Sequence, residues 1–325
     1  MKFPHRRQFL HLAAGTAALP AVSRVARAQA WPSRNIRMVV PFAPGPGIDA
    51  IARIVANRLS ELWRVQVIVE NRPGSGGNIG SEAVARSQPD GYTLLANGPA
   101  LALNRYLFGR LPYDPVNDFA PATLFCALPN IMIVPNSSPA KSVSEFIQLA
   151  KARTVSTFAS AGTGTTQHLS GELLKRMAGI DLTHVPYRGY PFLLGDLISE
   201  RVDAGFLSLG AAIEVVRTSQ VRGLAVTSVK RFPLAPELPT VSEALPGYDV
   251  STWFAFFAPS KTPMEIIKKI SSDTAVALSD PDVRRKLEQL SVVVVSSAPE
   301  ELAALLRSDM EKWGSIIKDA GIKLE

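Results

Sequence analysis

The chain has 325 residues, 46% of them apolar, enough to bury a sizeable core in one large or two medium domains. Its formal charge of +7 falls to +2 once residues 1–30, with five Lys or Arg and no acid, are set aside, and no later Lys/Arg block offers a footprint for nucleic acid. The only cysteine, Cys126, excludes an internal disulfide and a thiolate cluster, and His168 and His184 alone follow the first segment, which argues against a histidine metal centre.

Residues 1–30 read as a secretory leader. Lys2, Arg6 and Arg7 form a basic start, Phe9 to Val22 a mildly apolar run, and Ala26-Arg27-Ala28 and Ala28-Gln29-Ala30 present small residues for cleavage near Ala28 or Ala30. His5-Arg6-Arg7-Gln8-Phe9-Leu10 is similar to a twin-arginine pattern. No later stretch reaches the roughly 18 uninterrupted apolar residues of a membrane span.

From Ile36 the sequence alternates strands and helices. Ile36–Val40 is a β-branched run that ends in the turn-rich Pro41–Gly47, and Ile51, Ile54, Val55, Leu59 and Leu62 give 48–62 a helical stripe. A strand over 65–70, the break Asn71–Gly77, a helix over 78–87 and a strand over 92–96 complete a βαβαβ unit, which implies a parallel sheet covered on both faces. Further strands are expected at 131–134, 154–160, 181–185, 204–209, 224–227 and 253–258. Helices are expected at 143–152, with Ser142 as cap and Glu145 at the capping-box position, and at 167–178, 263–279 and 299–318. The strand–Gly loop–helix unit at 65–87 is echoed at 154–178.

Three loops lie just past strand ends, where open α/β sheets hold ligands. They are Phe42–Gly47, Pro73–Asn78 with Asn97–Pro99, and Ala161–Thr166. Glycine lets backbone approach a ligand, and the helix that follows supplies free N–H groups and a partial positive charge, which suits a small anion. Ser75, Asn78, Thr163, Thr165 and Thr166 add neutral donors. Each loop taken singly also fits a plain tight connection. His168 could touch a ligand or only bond the Gly loop. Asp49 and Arg53 read as a surface i,i+4 ion pair, and Trp253, Phe254, Phe256 and Phe257 as core or hinge packing. GxSxG, Walker A and complete GxGxxG patterns are missing, so neither a catalytic residue nor a cofactor is expected.

The motifs then identify a family. Val39-Val40-Pro41-Phe42-Ala43-Pro44-Gly45, Glu70-Asn71-Arg72-Pro73-Gly74-Ser75-Gly76-Gly77-Asn78-Ile79-Gly80 and Pro89-Asp90-Gly91-Tyr92-Thr93-Leu94-Leu95 resemble the Bug family, the periplasmic receptors of tripartite tricarboxylate transporters. Leu111-Pro112-Tyr113-Asp114-Pro115, Ala159-Ser160-Ala161-Gly162-Thr163-Gly164 and His184-Val185-Pro186-Tyr187-Arg188-Gly189 continue the resemblance, which runs from about Trp31 to Glu325.

The resemblance implies an α/β, type II periplasmic-binding-protein fold: two doubly wound lobes, a hinge and a ligand cleft. Residues 31–133 and 222–325 would form one lobe and 134–221 the other. It implies capture of a small carboxylate by a non-enzymatic, monomeric receptor for tripartite tricarboxylate transporter subunits. A ligand-sensing adaptor for a periplasmic sensor domain is the alternative, and a periplasmic hydrolase a weaker one. The cleft would be lined by Phe42, Gly45, Pro46, Ser75, Gly76, Gly77, Asn78, Asn97, Ala161, Gly162, Thr163, Thr165, Thr166, His168 and Ser208, with no metal.

The sequence departs from the family pattern at Pro46, where a glycine is usual, at Ile48, where a hydroxyl residue is usual, at Tyr190-Pro191-Phe192, and at Leu207, where Asp is frequent. These changes point to a ligand with an apolar or aromatic body and a single carboxylate, not citrate.

Overall fold

The computed structural model describes residues 31–45, 47–187 and 189–324. Residues 1–30, where a leader is expected, Pro46, Arg188 and Glu325 lie outside the described residues.

The first half runs β1 (Ile36–Val40), α1 (Ile48–Trp63), β2 (Val67–Asn71), α2 (Asn78–Ala85), β3 (Thr93–Asn97) and α3 (Ala100–Leu107). The long β4 (Phe119–Val134) leads to α4 (Val143–Lys151), β5 (Thr157–Ser160), α5 (Thr166–Ala178), β6 (Thr183–Pro186), α6 (Tyr190–Ile198), β7 (Gly205–Ser208), α7 (Leu209–Arg217) and β8 (Arg222–Val226). The chain returns through α8 (Val241–Ala244), β9 (Ser251–Pro259), α9 (Met264–Ser279), α10 (Pro281–Gln289), β10 (Val293–Val294) and α11 (Pro299–Asp319).

The strands lie in the order β2-β1-β3-β9-β4-β7-β5-β6, with β8 and β10 also pairing β4. Its flanks are parallel, as the βαβ rhythm predicts: β1 with β2 and β3, and β5 with β6 and β7. The centre is antiparallel, because β4 pairs β9 over Phe119–Pro129 and β7 and β8 over Asn130–Val134. One strand therefore serves both halves of the sheet. The sequence hides it: Pro121 and Pro129 interrupt its apolar run, and proline has no N–H for a ladder. In the structure Pro121 borders a register shift and Pro129 ends the pairing with β9, where β4 changes partners.

Each half has its own apolar filling. Ile51, Val55 and Leu59 of α1 pack on β1 and β3 beside Phe125 and Phe256. Phe146, Phe158, Leu169 and Phe206 fill the other half. The long α11 joins them, with Leu302 and Leu306 in a cluster with Trp253 and Phe257, and Trp313, Ile316 and Ile317 in the cluster of Phe158. Ser142 caps α4 by accepting from the Glu145 amide, while the Glu145 carboxylate takes the Lys141 amide, so the reciprocal half of the capping box falls one residue early. No helix among the described residues is long and apolar enough to cross a membrane.

Candidate functional site

A cavity of about 310 Å³ opens between the two halves of the sheet, at the carboxyl ends of β3 and β5. Three helices begin on its wall: α3 after Gly98-Pro99, α5 at Thr165-Thr166-Gln167, and α7 after Ser208. First-turn amides of a helix have no partner within it and carry the positive end of its dipole. The polar side chains on the wall are uncharged: Asn97, Asn104, Thr163, Gln167, Ser208 and Thr252 among them. The remainder is apolar, from Phe42, Leu103, Leu107, Leu128, Phe254 and Leu324. Among the described residues no lining side chain bears a charge.

Seven of the expected residues come together on this wall: Phe42, Gly76, Asn97, Thr163, Thr165, Thr166 and Ser208. Gly45, Ser75, Gly77, Asn78, Ala161, Gly162 and His168 do not line it, and Pro46 lies outside the described residues. Several of these shape the loops instead. Buried Asn78 accepts at Oδ1 from Asn104 Nδ2 (2.7 Å) and from the Tyr113 hydroxyl (2.8 Å), and Asn104 Nδ2 also donates to the Gly76 carbonyl.

His168 bonds the Gly loop and is not among the residues that line the cavity. It is buried, and its Nδ1 accepts from the Gly164 amide at 3.1 Å. Its ring stacks on His184 with centroids 3.6 Å apart, and its Nε2 approaches the Glu172 carboxylate at 3.7 Å. His184 Nε2 lies 2.7 Å from Ser160 Oγ, which donates to the Gly162 carbonyl at 3.1 Å. Burial raises the Glu172 carboxyl, but the neighbouring His168 and the hydrogen-bonded Lys175 outweigh it and hold the group below its ordinary value. The loop therefore rests on a histidine–carboxylate network behind the cavity wall. Thr165 caps α5 by accepting from the His168 amide, and Thr166 Oγ1 meets Thr252 Oγ1 at 2.8 Å, joining α5 to β9.

The first loop has a comparable support. Asp49 is only 5% exposed, so the Asp49–Arg53 pair is not a plain surface contact. Its carboxylate accepts from the Gly45 amide, Arg53 Nε and Asn71 Nδ2, and Asn71 Nδ2 also reaches the Phe42 carbonyl. Burial raises the Asp49 carboxyl, but these hydrogen bonds hold it below its ordinary value.

Other lining residues need the tertiary structure or the right period to be found. Phe254 lies on the wall beside Thr252, the β9 pleat turns Trp253 and Phe257 to the opposite face, and Phe256, on the Phe254 face, is buried beside Phe125. Ala100, Leu103, Asn104 and Leu107 carry helical spacing right after Pro99, a signal that the sequence does contain. Ile48 and Leu207 do not line the cavity; both are buried in apolar clusters. Of the positions that depart from the family pattern, Tyr190 reaches the wall, and Phe192 is 68% exposed.

A family model, the tripartite tricarboxylate transporter family receptor, matches residues 51–322. The chain is 41% identical over 298 residues to a UPF0065 protein encoded in the tcbD-tcbE intergenic region of a Pseudomonas species, covering 91% of this chain and 89% of the relative. It is 30% identical over 312 residues to protein BugT of Bordetella pertussis, covering 95% and 96%. Rpa4515 of R. palustris, solved with adipate, matches with a TM-score of 0.78 and 36% identity over 90% of this chain and 100% of that one. MatC of Rhodopseudomonas palustris, solved with bound malate, gives 0.74 and 31% over 88% and 100%. Together with the cleft between two α/β halves, these matches show that the chain belongs to the tripartite tricarboxylate transporter receptor family, the periplasmic solute-binding receptors of the Bug type.

Proposed function

We propose that this receptor captures a small carboxylate with an apolar or aromatic body and a single carboxylate, and presents it to membrane subunits of a tripartite tricarboxylate-type transporter. The observation that carries this reading is the chemistry of the cavity wall. Helix starts and neutral donors converge there, opposite leucine and phenylalanine side chains, with no charged side chain among the described residues. The carboxylate bonds the amides of α5 with Thr163 and Thr166, and the body lies against Leu103, Leu107 and Phe254. Citrate would bring further carboxylates to a wall without cations among the described residues, and each buried unpaired charge costs several kcal/mol. The relatives solved with adipate and malate support a carboxylate ligand. The volume lies at the low end of the ~300–1,000 Å³ usual for ligand pockets.

In this reading 31–133 with 222–325 and 134–221 are two lobes that close on the ligand about β4, and the receptor works as an exported monomer, its leader cleaved near Ala28 or Ala30. The intact mass of the protein recovered from the periplasm checks the cleavage. Receptor action without turnover fits the state of Ser160. Its hydroxyl faces an imidazole as a nucleophile would, yet it is fully buried and bonded to the Gly162 carbonyl.

Thermal-shift screening of protein stripped by unfolding and refolding tests the ligand class. An acid at ~100 times its Kd stabilises by about 2.7 kcal/mol. Monocarboxylates with apolar bodies are expected to give the largest shifts. Tighter binding of citrate than of any monocarboxylate contradicts the single-carboxylate reading.

A further inference from the structure

The segment after α11 forms part of the cavity wall. Gly321, with φ of 64°, turns the chain back at the helix end, and the Ile322 amide bonds the Ile317 carbonyl at 3.0 Å. Ile322 is buried in the cluster of Leu103, Leu107, Trp313 and Ile316. Two residues on, the Leu324 amide donates to the Leu107 carbonyl at 2.7 Å, and Leu324 bridges Phe108 in a parallel pairing. Its side chain lines the cavity next to Leu107. Across from them stands Gly164, in the loop that begins α5. A Cβ placed there would lie 2.8 Å from Leu107 Cδ1 and 3.1 Å from Leu324 Cδ1. A leucine brought in from the end of α11 thus packs with Leu107 against Gly164 of the Gly loop on the cavity wall.

We propose that Leu324 is a specificity-determining residue that limits the length of the ligand's apolar body. It rests on the carboxylate-receptor reading: with the carboxylate fixed at the α5 amides, the body extends along Leu103 and Leu107 until Leu324 stops it. The hydrogen bond to Leu107 and the anchored Ile322 make the stop rigid. Shortening the side chain opens room for extra methylenes without removing any donor to the carboxylate, and enlarging it takes that room away.

Titration of straight-chain monocarboxylates from butanoate to decanoate into the wild type, Leu324→Ala and Leu324→Phe tests this, with exposed Lys323→Ala as control. In Leu324→Ala the preferred acid is expected to become one or two carbons longer, gaining about fourfold in affinity for each added carbon. In Leu324→Phe it is expected to become shorter, and the control keeps the wild-type profile. A uniform loss at every length in both variants, or an unchanged preference, overturns the assignment and leaves the segment a purely structural strap. A wild type that binds no acid of any kind overturns the receptor reading itself, and this inference with it. Circular dichroism separates an unfolded variant from a folded one with altered preference, and Leu324→Met, which keeps most of the volume, is expected to behave as wild type.

Discussion

The first loop, Phe42–Gly47, and the loop that begins α5, Ala161–Thr166, occupy equivalent places after a strand, yet different groups bond their backbone: a carboxylate in one, a histidine in the other. An acid clamps the first: Asp49 gathers the Gly45 amide, Arg53 and Asn71. Two stacked histidines with Ser160 and Glu172 clamp the second. In both, these ionisable groups sit off the cavity wall, and what faces the cavity is backbone and neutral side chain. A cavity wall can thus be fixed by charge without presenting charge, which is what the proposed capture of a carboxylate by helix amides requires. The difference lies in what acid does to the clamps.

The largest effect is expected at Gly164. Its φ of 79° strains any L side chain there, and a Cβ would also push on the Leu107 and Leu324 methyl groups. Gly164→Val should cost about 2–5 kcal/mol and abolish the ligand-induced thermal shift, because the loop must move off the wall. Denaturant unfolding with and without ligand measures both. Next comes His168→Ala, which leaves the Gly164 amide without its acceptor. It should cost about 1–3 kcal/mol, with weaker ligand binding than that loss alone explains. Asp49→Ala should cost about 1 kcal/mol and affect binding less, since part of its clamp is backbone away from the wall. Equal losses of binding in the two clamp variants would remove the contrast drawn between the loops.

Acid should separate the clamps at smaller amplitude. Burial, with the neighbouring His168 ring and Lys175, pushes His184 down from 6.5 to about 3 against the pull of Glu172. Between those values the unfolded chain holds a proton that the folded chain refuses. The His184 contribution is therefore complete above pH 6.5 and declines as pH falls toward 3. Asp49, held below its ordinary value of 3.8, loses its contribution only at lower pH. Urea melts from pH 7 to 4 should show the decline in the wild type and a flatter profile in His184→Gln.

Much of the fold was legible because its flanks follow simple periods. β1, α1, β2 and α5 show β-branched runs, an apolar stripe and Gly-rich helix starts. The antiparallel centre was not, since β4 carries Pro121 and Pro129, which only a register shift and a change of partner explain. At the site, residues in loops that precede helices were readable from their chemistry, as with Thr163, Thr165 and Thr166. Side chains whose position depends on packing between distant segments were not. Leu128 on β4 and Leu324 beyond α11 reach the cavity with no local sign of it. Ile48 and Leu207 mislead in the opposite sense: their substitution removes polarity from the sequence, but their side chains point into the core, and the apolar wall comes from elsewhere.

The most direct test is calorimetric titration of the stripped receptor with its best-binding acid and with the primary amide of that acid. If the helix starts of α3, α5 and α7 hold a carboxylate while an apolar wall holds the rest, the acid should bind at least about tenfold tighter, a difference of about 1.4 kcal/mol or more. Equal affinity for acid and amide would contradict a site built for a carboxylate.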